Sequence, residues 1–481
     1  LKDRKIISAL TSISIYELNS FSKYIHSPFF NVNTHITTFY EVLEEAIRDG
    51  SVEKLTPKQI WSRIHPNVAY NNQKFLKLNS DLVNHFENFM AQREFDQAES
   101  VKTNFKLEAV RKRNIEKLYN GIIGEVERLQ KTEFNQSAEF YMTKYLIERN
   151  LFSLKTENEK KTEKTEITST LNIKDISDNL DYFYIIEKLK QFCTLLSWKK
   201  MYKLDIEMDN MNYVLDIAQS PKYQSIAPIQ IYYKMYLTYV NEHDAENYYE
   251  LRQLSKEYLH IFPIDEQREI YSTLLGYCIN RINKNQQEFF KETFEVYKDS
   301  IDQKIMIIND ELSVTTFRNI VIAALRVDEF EWAENFIYEN AKYVDEKFRS
   351  NAVEFSLARL EFYKKDYDKV LDHLYKVSYE DVWYNINAKT IYLHTYYELD
   401  EFDALESLLQ SFKMFVKREK SLTQARKDHY LNLIKFTNAL IKINPRDKTK
   451  LQKLAQEIND TRGVVSKPWL QEKIELLLQG K

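Results

Sequence analysis

Apolar residues recur at steps of three and four along most of the chain, the spacing that lines one face of a helix. Leu18, Phe21, Tyr24 and Ile25 form one such set, closed by Ser27-Pro28. Phe39, Tyr40, Val42, Leu43 and Ile47 form a second, closed by Asp49-Gly50. Thr56-Pro57-Lys58-Gln59 combines a capping box with proline at the first helical position, and predicts a short helix holding Ile60, Trp61 and Ile64. His65-Pro66 ends it. A longer amphipathic helix is predicted over 71–93, with Phe75, Leu78, Leu82, Phe86 and Phe89 on one side. Helical spacing continues from 95 to 152, where Gly121 and Gly124 predict a close approach of two helices. Residues 153–166 alternate in charge around a single apolar side chain, which predicts a solvated loop. Beyond 174 helices follow one another, punctuated at Pro221, Pro228, Pro263 and Pro445, and the last runs from Ser466-Lys467-Pro468-Trp469 to Gly480. The sole strand candidate is Ile167 to Ile173. This punctuation divides the chain into a helical N-terminal domain (1–95), connecting helices (96–152), a charged linker (153–173), helical repeats (174–443) and C-terminal capping helices (444–481).

Composition agrees with helices and little else. The 481 residues include only 6 Gly and 8 Pro, too few for the turns of a β-sandwich or the phosphate loops of a parallel α/β enzyme. The 33 Tyr and 28 Phe suit seams between packed helices. Cys193 and Cys278 have neither disulfide-framework nor zinc spacing, and two buried thiols in a reducing compartment are expected. No apolar run approaches the roughly 20 residues that span a bilayer, and no signal peptide is recognised, so no membrane partner is expected and the cytoplasm is the expected location.

The second half repeats itself. Glu329-Phe330-Glu331-Trp332-Ala333, Asp366-Tyr367-Asp368-Lys369-Val370 and Glu401-Phe402-Asp403-Ala404-Leu405 share an acidic–aromatic–acidic start followed, two residues on, by an apolar residue. The pattern resembles the tetratricopeptide repeat, a helix–turn–helix unit of about 34 residues. The middle unit matches best, with Leu357-Ala358 at the large–small pair of the first helix. Asp328, Lys365 and Asp400 stand where that family has its turn glycine, and the proline that ends each unit is missing. Weaker helical pairs lie at about 231–260 and 269–298. The order of segments is also similar to an uncharacterised family of bacterial repeat proteins, which supplies a fold and no activity. The expected fold class is therefore all-α, a TPR-like α-solenoid of helical hairpins with a helical N-terminal domain.

No motif for catalysis, metal or cofactor is present. Gly121-Ile122-Ile123-Gly124 fits no phosphate loop, and none of the 9 His falls in a metal-binding pattern. The chain is expected to be non-catalytic, without a cofactor, and to bind a protein or peptide. The resemblance implies a concave groove lined by Arg318, Ile322 and Arg326, by Phe355, Arg359, Phe362 and Tyr363, and by Thr390, His394, Tyr397 and Glu398. Among these, Arg318, Arg326, Arg359, Tyr363 and His394 are the candidate contacts. The arginines would offer forks for carboxylates, with pairing to neighbouring Asp and Glu as the competing reading.

Charge gives the alternative. Between Lys413 and Lys453 twelve basic residues face three acidic ones, a local +9 on a chain of net −4. Lys417, Arg418, Lys420, Arg426, Lys427, Arg446, Lys448 and Lys450 form the candidate basic patch, which would suit nucleic acid or an acidic protein, or be a solvated helix face. The segment from Ile60-Trp61 through the Phe75–Phe89 helix also resembles, faintly, a winged-helix domain, whose recognition helix would carry Lys74, Lys77 and Asn79. A regulator or adaptor touching nucleic acid is thus the second reading.

Overall fold

A computed structural model describes residues 5–132, 135–159, 172–202, 206 and 210–480. Among these residues there is no β-strand, only an isolated bridge between Ile308 and Glu311, and 24 α-helices account for most of the chain. The chain divides into two compact units, Leu1–Phe192 with Glu207–Gln230, and Cys193–Ile206 with Ile231–Lys481.

The first unit opens with α1 (Lys5–Ser12), α2 (Ile15–His26), α3 (Thr34–Arg48), α4 (Pro57–Ile64) and α5 (Asn72–Gln97). The caps are those the sequence predicts: the Thr56 hydroxyl accepts from the Gln59 amide (3.3 Å), and the Gln59 side chain accepts from the Thr56 amide (2.8 Å). Phe21, Phe39, Tyr40, Leu43, Ile60, Trp61 and Phe75 then share one core. Tyr40 packs edge-on against Phe21 and donates to the Leu18 carbonyl (3.0 Å), so its hydroxyl is satisfied inside that core. No strand follows α4 or α5, and Lys74 and Lys77 are simply exposed on α5. Between α2 and α3, Asn31 is buried and bonds the Ile25 carbonyl and Thr37, bracing a loop whose Phe29 and Val32 stand almost fully in solvent.

Next come α6 (Glu99–Lys112), α7 (Tyr119–Thr132) and α8 (Ala138–Glu159), packed through Leu107, Val110, Tyr119 and Leu154. Two expectations are corrected here. Gly121 and Gly124 on α7 meet nothing within 4 Å of a built Cβ, so they do not mark a close helix contact. Helix α8 also runs on to Glu159, into the stretch expected to be loop. Residues 160–171 lie outside the described residues, and with them most of the strand candidate; Ile173 begins a helix. That helix, α9 (Ile173–Tyr202), is followed by α10 (Met211–Ala218), α11 (Pro221–Gln224) and α12 (Ala227–Val240).

The second unit is built of antiparallel helix pairs. Helix α13 (Ala245–Tyr258) follows α12, and α14 (Ile264–Asn283) pairs with α15 (Phe289–Asp302), close to the weaker pairs expected from sequence. Three hairpins follow: α16 (Val314–Leu325) with α17 (Phe330–Asn340), α18 (Glu346–Lys364) with α19 (Tyr367–Tyr375), and α20 (Val382–Glu398) with α21 (Phe402–Arg418). Their turns are the same object three times. Asp328, Lys365 and Asp400 are left-handed (φ 61°, 63° and 58°). The next amide donates five residues back in each, Glu329 to Ala324 (3.1 Å), Asp366 to Glu361 (3.0 Å) and Glu401 to Tyr396 (2.9 Å). This is the bond pattern of a Schellman turn, which satisfies carbonyls the helix end would leave open. The apolar residue of each sequence repeat, Ala333, Val370 or Leu405, is fully buried in its hairpin. The first helices α16, α18 and α20 also pack on one another in succession. Helices α22 (Gln424–Lys442), α23 (Lys448–Asp460) and α24 (Lys467–Gln479) close the unit, and the architecture is that of an all-α helical repeat.

Candidate functional site

Three arginines from the candidate set lie on or just beyond α16 and α18, the first helices of two successive hairpins. On α16, Arg318 lies with its guanidinium carbon 3.6 Å from the Trp383 ring centre and 5.2 Å from that of Tyr384, both on α20. Its Nη2 donates to Thr315 at 3.4 Å, while its buried Nε has no hydrogen-bond partner. Burial pushes its pKa down, offset in part by Tyr384 and Asp381. Arg326, just past the end of α16, is exposed and rests over Phe290 (5.5 Å). Arg359 on α18 lies beside Phe355 (5.7 Å). Burial lowers its pKa too, Tyr363 opposes that, and the positive charges of Arg326 and Arg318 lower it further. Among the described residues none of the three forms an ion pair, so the competing reading of neutralised arginines does not describe this face.

Such a face is electrostatically incomplete. Like charges repel, and repulsion is strongest where water is partly excluded. A cation over an aromatic face is attracted to the ring without donating a conventional hydrogen bond to it. An anion placed among them would gain from three cations at once and could take two parallel hydrogen bonds from any one.

The other candidates divide. Tyr363 is half-buried on the α18 side of this face, against Phe330 and Phe362. His394 is instead in the core: it is 9% exposed, 4.3 Å from the Trp469 ring of α24 and 5.8 Å from that of Phe362. Burial, then Arg359 and Lys473, pushes its pKa down to about 3, and its Nε2 has no partner. Phe355 is core as well, at 1% exposure. Glu398 is occupied, accepting from the Trp469 indole (3.1 Å) and pairing with Lys473 (2.7 Å). Sequence spacing placed these residues on one helix face, but only coordinates show α24 lying over the α20 end of it. Trp383, which holds Arg318, was not among the candidates; a tryptophan at the second residue of a helix otherwise rich in apolar side chains gives no signal of such a role.

The residues of the basic patch fall in two groups. Lys417, Arg418, Lys420, Arg426 and Lys427 gather at the α21–α22 turn and the start of α22. Arg446, Lys448 and Lys450 follow its other end, about 24 Å away at 1.5 Å of rise per residue from Arg426 to Lys442. Lys450 is engaged by Asp447 at 3.0 Å.

A pocket of about 220 Å³ is lined by Ser197, Thr238, Tyr239, Ser272, Thr273, Gly276, Tyr277 and Asn280, hydroxyl and amide groups without a histidine, carboxylate or thiol to act as base. Both thiols are buried and free, and burial pushes the Cys278 pKa up to about 11 and the Cys193 pKa up as well, away from the thiolate. Among the described residues no group of three or more His, Cys, Asp or Glu side chains could hold a metal ion, and no helix is long and apolar enough to cross a membrane. No protein-family model matches the sequence, and no curated protein matches it either.

Proposed function

We propose that this chain is a non-catalytic scaffold of tetratricopeptide-like hairpins that binds a carboxylate-bearing peptide or protein segment across α16, α18 and α20. The observation that carries the reading is the trio Arg318, Arg326 and Arg359, brought together without an ion-pair partner among the described residues. The tetratricopeptide comparison is supported by the identical turn closure at Asp328, Lys365 and Asp400. A reducing, cytoplasmic setting is supported by the two buried free thiols.

Each charge-assisted contact to an arginine is worth about 1.5–3 kcal/mol, roughly ten- to a hundredfold in affinity. The test is selection of a displayed random-peptide library on the full chain. Enrichment of Asp- and Glu-bearing peptides, lost on Arg326→Glu and weakened by Arg359→Gln, is expected. Selection without acidic enrichment, or binding indifferent to both changes, would refute the reading. Charge reversal at Arg426, Lys427, Arg446 and Lys448 should leave it intact. If those changes abolish binding, and an oligonucleotide with a steep salt dependence competes, the nucleic-acid reading replaces it.

A further inference from the structure

A second, separate surface lies between α21 and α22, where the two helices enclose a groove of about 510 Å³. Its apolar lining is Leu409 from α21 and Leu431 and Ile434 from α22, with the amides of Gln410 and Asn438 beside them. Its rims are basic: Lys413 and Lys417 on one side, Lys435 and Lys442 on the other, all exposed. Lys435 reaches away to Glu457 (2.5 Å), and Lys442 lies 3.5 Å from Glu406, the one carboxylate in the groove lining. Lys413 and Lys417 form no ion pair among the described residues. An apolar trough between rows of ammonium groups is complementary to one kind of guest, apolar along a seam and acidic on its flanks.

We infer that this groove binds an acidic amphipathic helix of a partner protein, with its apolar seam on Leu409, Leu431 and Ile434 and its carboxylates facing Lys413 and Lys417. The dimensions fit a helix. From Glu406 to Lys417 the wall rises roughly 16 Å, three turns at 1.5 Å per residue. Lys413 and Lys417 are spaced by one turn, as are carboxylates at i and i+4 of a guest. Apolar anchors at i, i+3, i+4 and i+7 are the usual way a helix occupies such a groove. Nucleic acid suits it less well: the walls carry lysine point charges with no arginine fork, and the lining has no aromatic ring on which a base could stack. The inference does not use Arg318, Arg326 or Arg359, and so stands apart from the proposed scaffold site.

The experiment is fluorescence anisotropy with the full chain at about 0.1 M salt, a regime in which weak surface attraction is partly screened. The probe is a labelled peptide of about 14 residues with a leucine seam and glutamate flanks. A scrambled peptide of the same composition and a single-stranded DNA of similar length are the comparisons. The amphipathic peptide should bind at least tenfold more tightly than the scrambled one. Lys413→Glu with Lys417→Glu should weaken it at least tenfold without change in helical ellipticity, since both side chains are exposed. Carbodiimide coupling of the peptide to the unmodified chain should map to Lys413 or Lys417, independently of any variant. Equal binding of the scrambled peptide would overturn the inference. So would DNA binding more tightly and being lost in the same double variant, which would make the groove a nucleic-acid surface. Binding that survives the double variant but is lost on Arg326→Glu would place the peptide on the arginine face and also end it.

Discussion

His394 should make the α20–α24 contact acid-sensitive, and the size of the effect can be worked out. An unfolded histidine titrates near 6.5, whereas burial, Arg359 and Lys473 hold His394 down to about 3 in the folded chain. Facing it are Arg359 from α18, Trp469 and Lys473 from α24, and Phe362, with Glu398 already spent on Trp469 and Lys473. Because the folded value is the lower one, the unfolded chain takes up the extra proton as pH falls below about 6.5. Stability is therefore fully present above that pH and is lost on the way down towards 3, at up to about 1.4 kcal/mol per pH unit. At pH 5 the loss amounts to roughly 2 kcal/mol. His394→Phe keeps a ring against Trp469 and cannot titrate. Urea unfolding of both proteins at pH 7.5, 6 and 5, followed by ellipticity, gives the difference in stability, in which the carboxylates common to both cancel. The variant should gain on the parent by roughly 2 kcal/mol between pH 7.5 and 5. A difference that does not change with pH would show that the ring is not held neutral, and the reasoning would fall.

Two further outcomes follow from local geometry. Lys365→Gly should raise stability by about 0.5–1 kcal/mol, because a left-handed lysine carries a steric cost that exceeds the extra unfolded-state freedom of glycine. Asp328→Gly and Asp400→Gly should gain less, since Asp tolerates that conformation better; thermal unfolding of the three variants checks the order. Tyr232→Phe removes the bond from a fully buried hydroxyl on α12 to the Glu266 carboxylate on α14 (2.6 Å) and should cost about 1–3 kcal/mol, read from the urea midpoint.

The helices were legible in the sequence because their causes are local. The cap at Thr56, the buried stripe Phe75–Leu78–Leu82–Phe89 and the repeated Ala333, Val370 and Leu405 all follow from spacing within one or two turns. The arginines were legible as a set because repeat register places them on consecutive first helices. What was not legible depended on partners distant in sequence. Nothing near residue 394 announces that Trp469 will cover it, nothing near 318 announces Trp383, and the basic patch looked continuous because its members are close in sequence. Gly121 and Gly124 misled for a related reason: a small residue signals close packing only if another helix approaches, and among the described residues none does.

The separation of the basic residues by α22 has a consequence for valency. The two clusters sit at the ends of a rigid rod about 24 Å apart, so a short anion can engage one of them at a time. An extended acidic chain covers that span with about seven residues at 3.3–3.6 Å each. Below that length affinity should report a single cluster; above it the second contact becomes intramolecular, and effective concentration replaces bulk concentration. Length, as much as charge, would then decide which polyanions this end of the molecule retains.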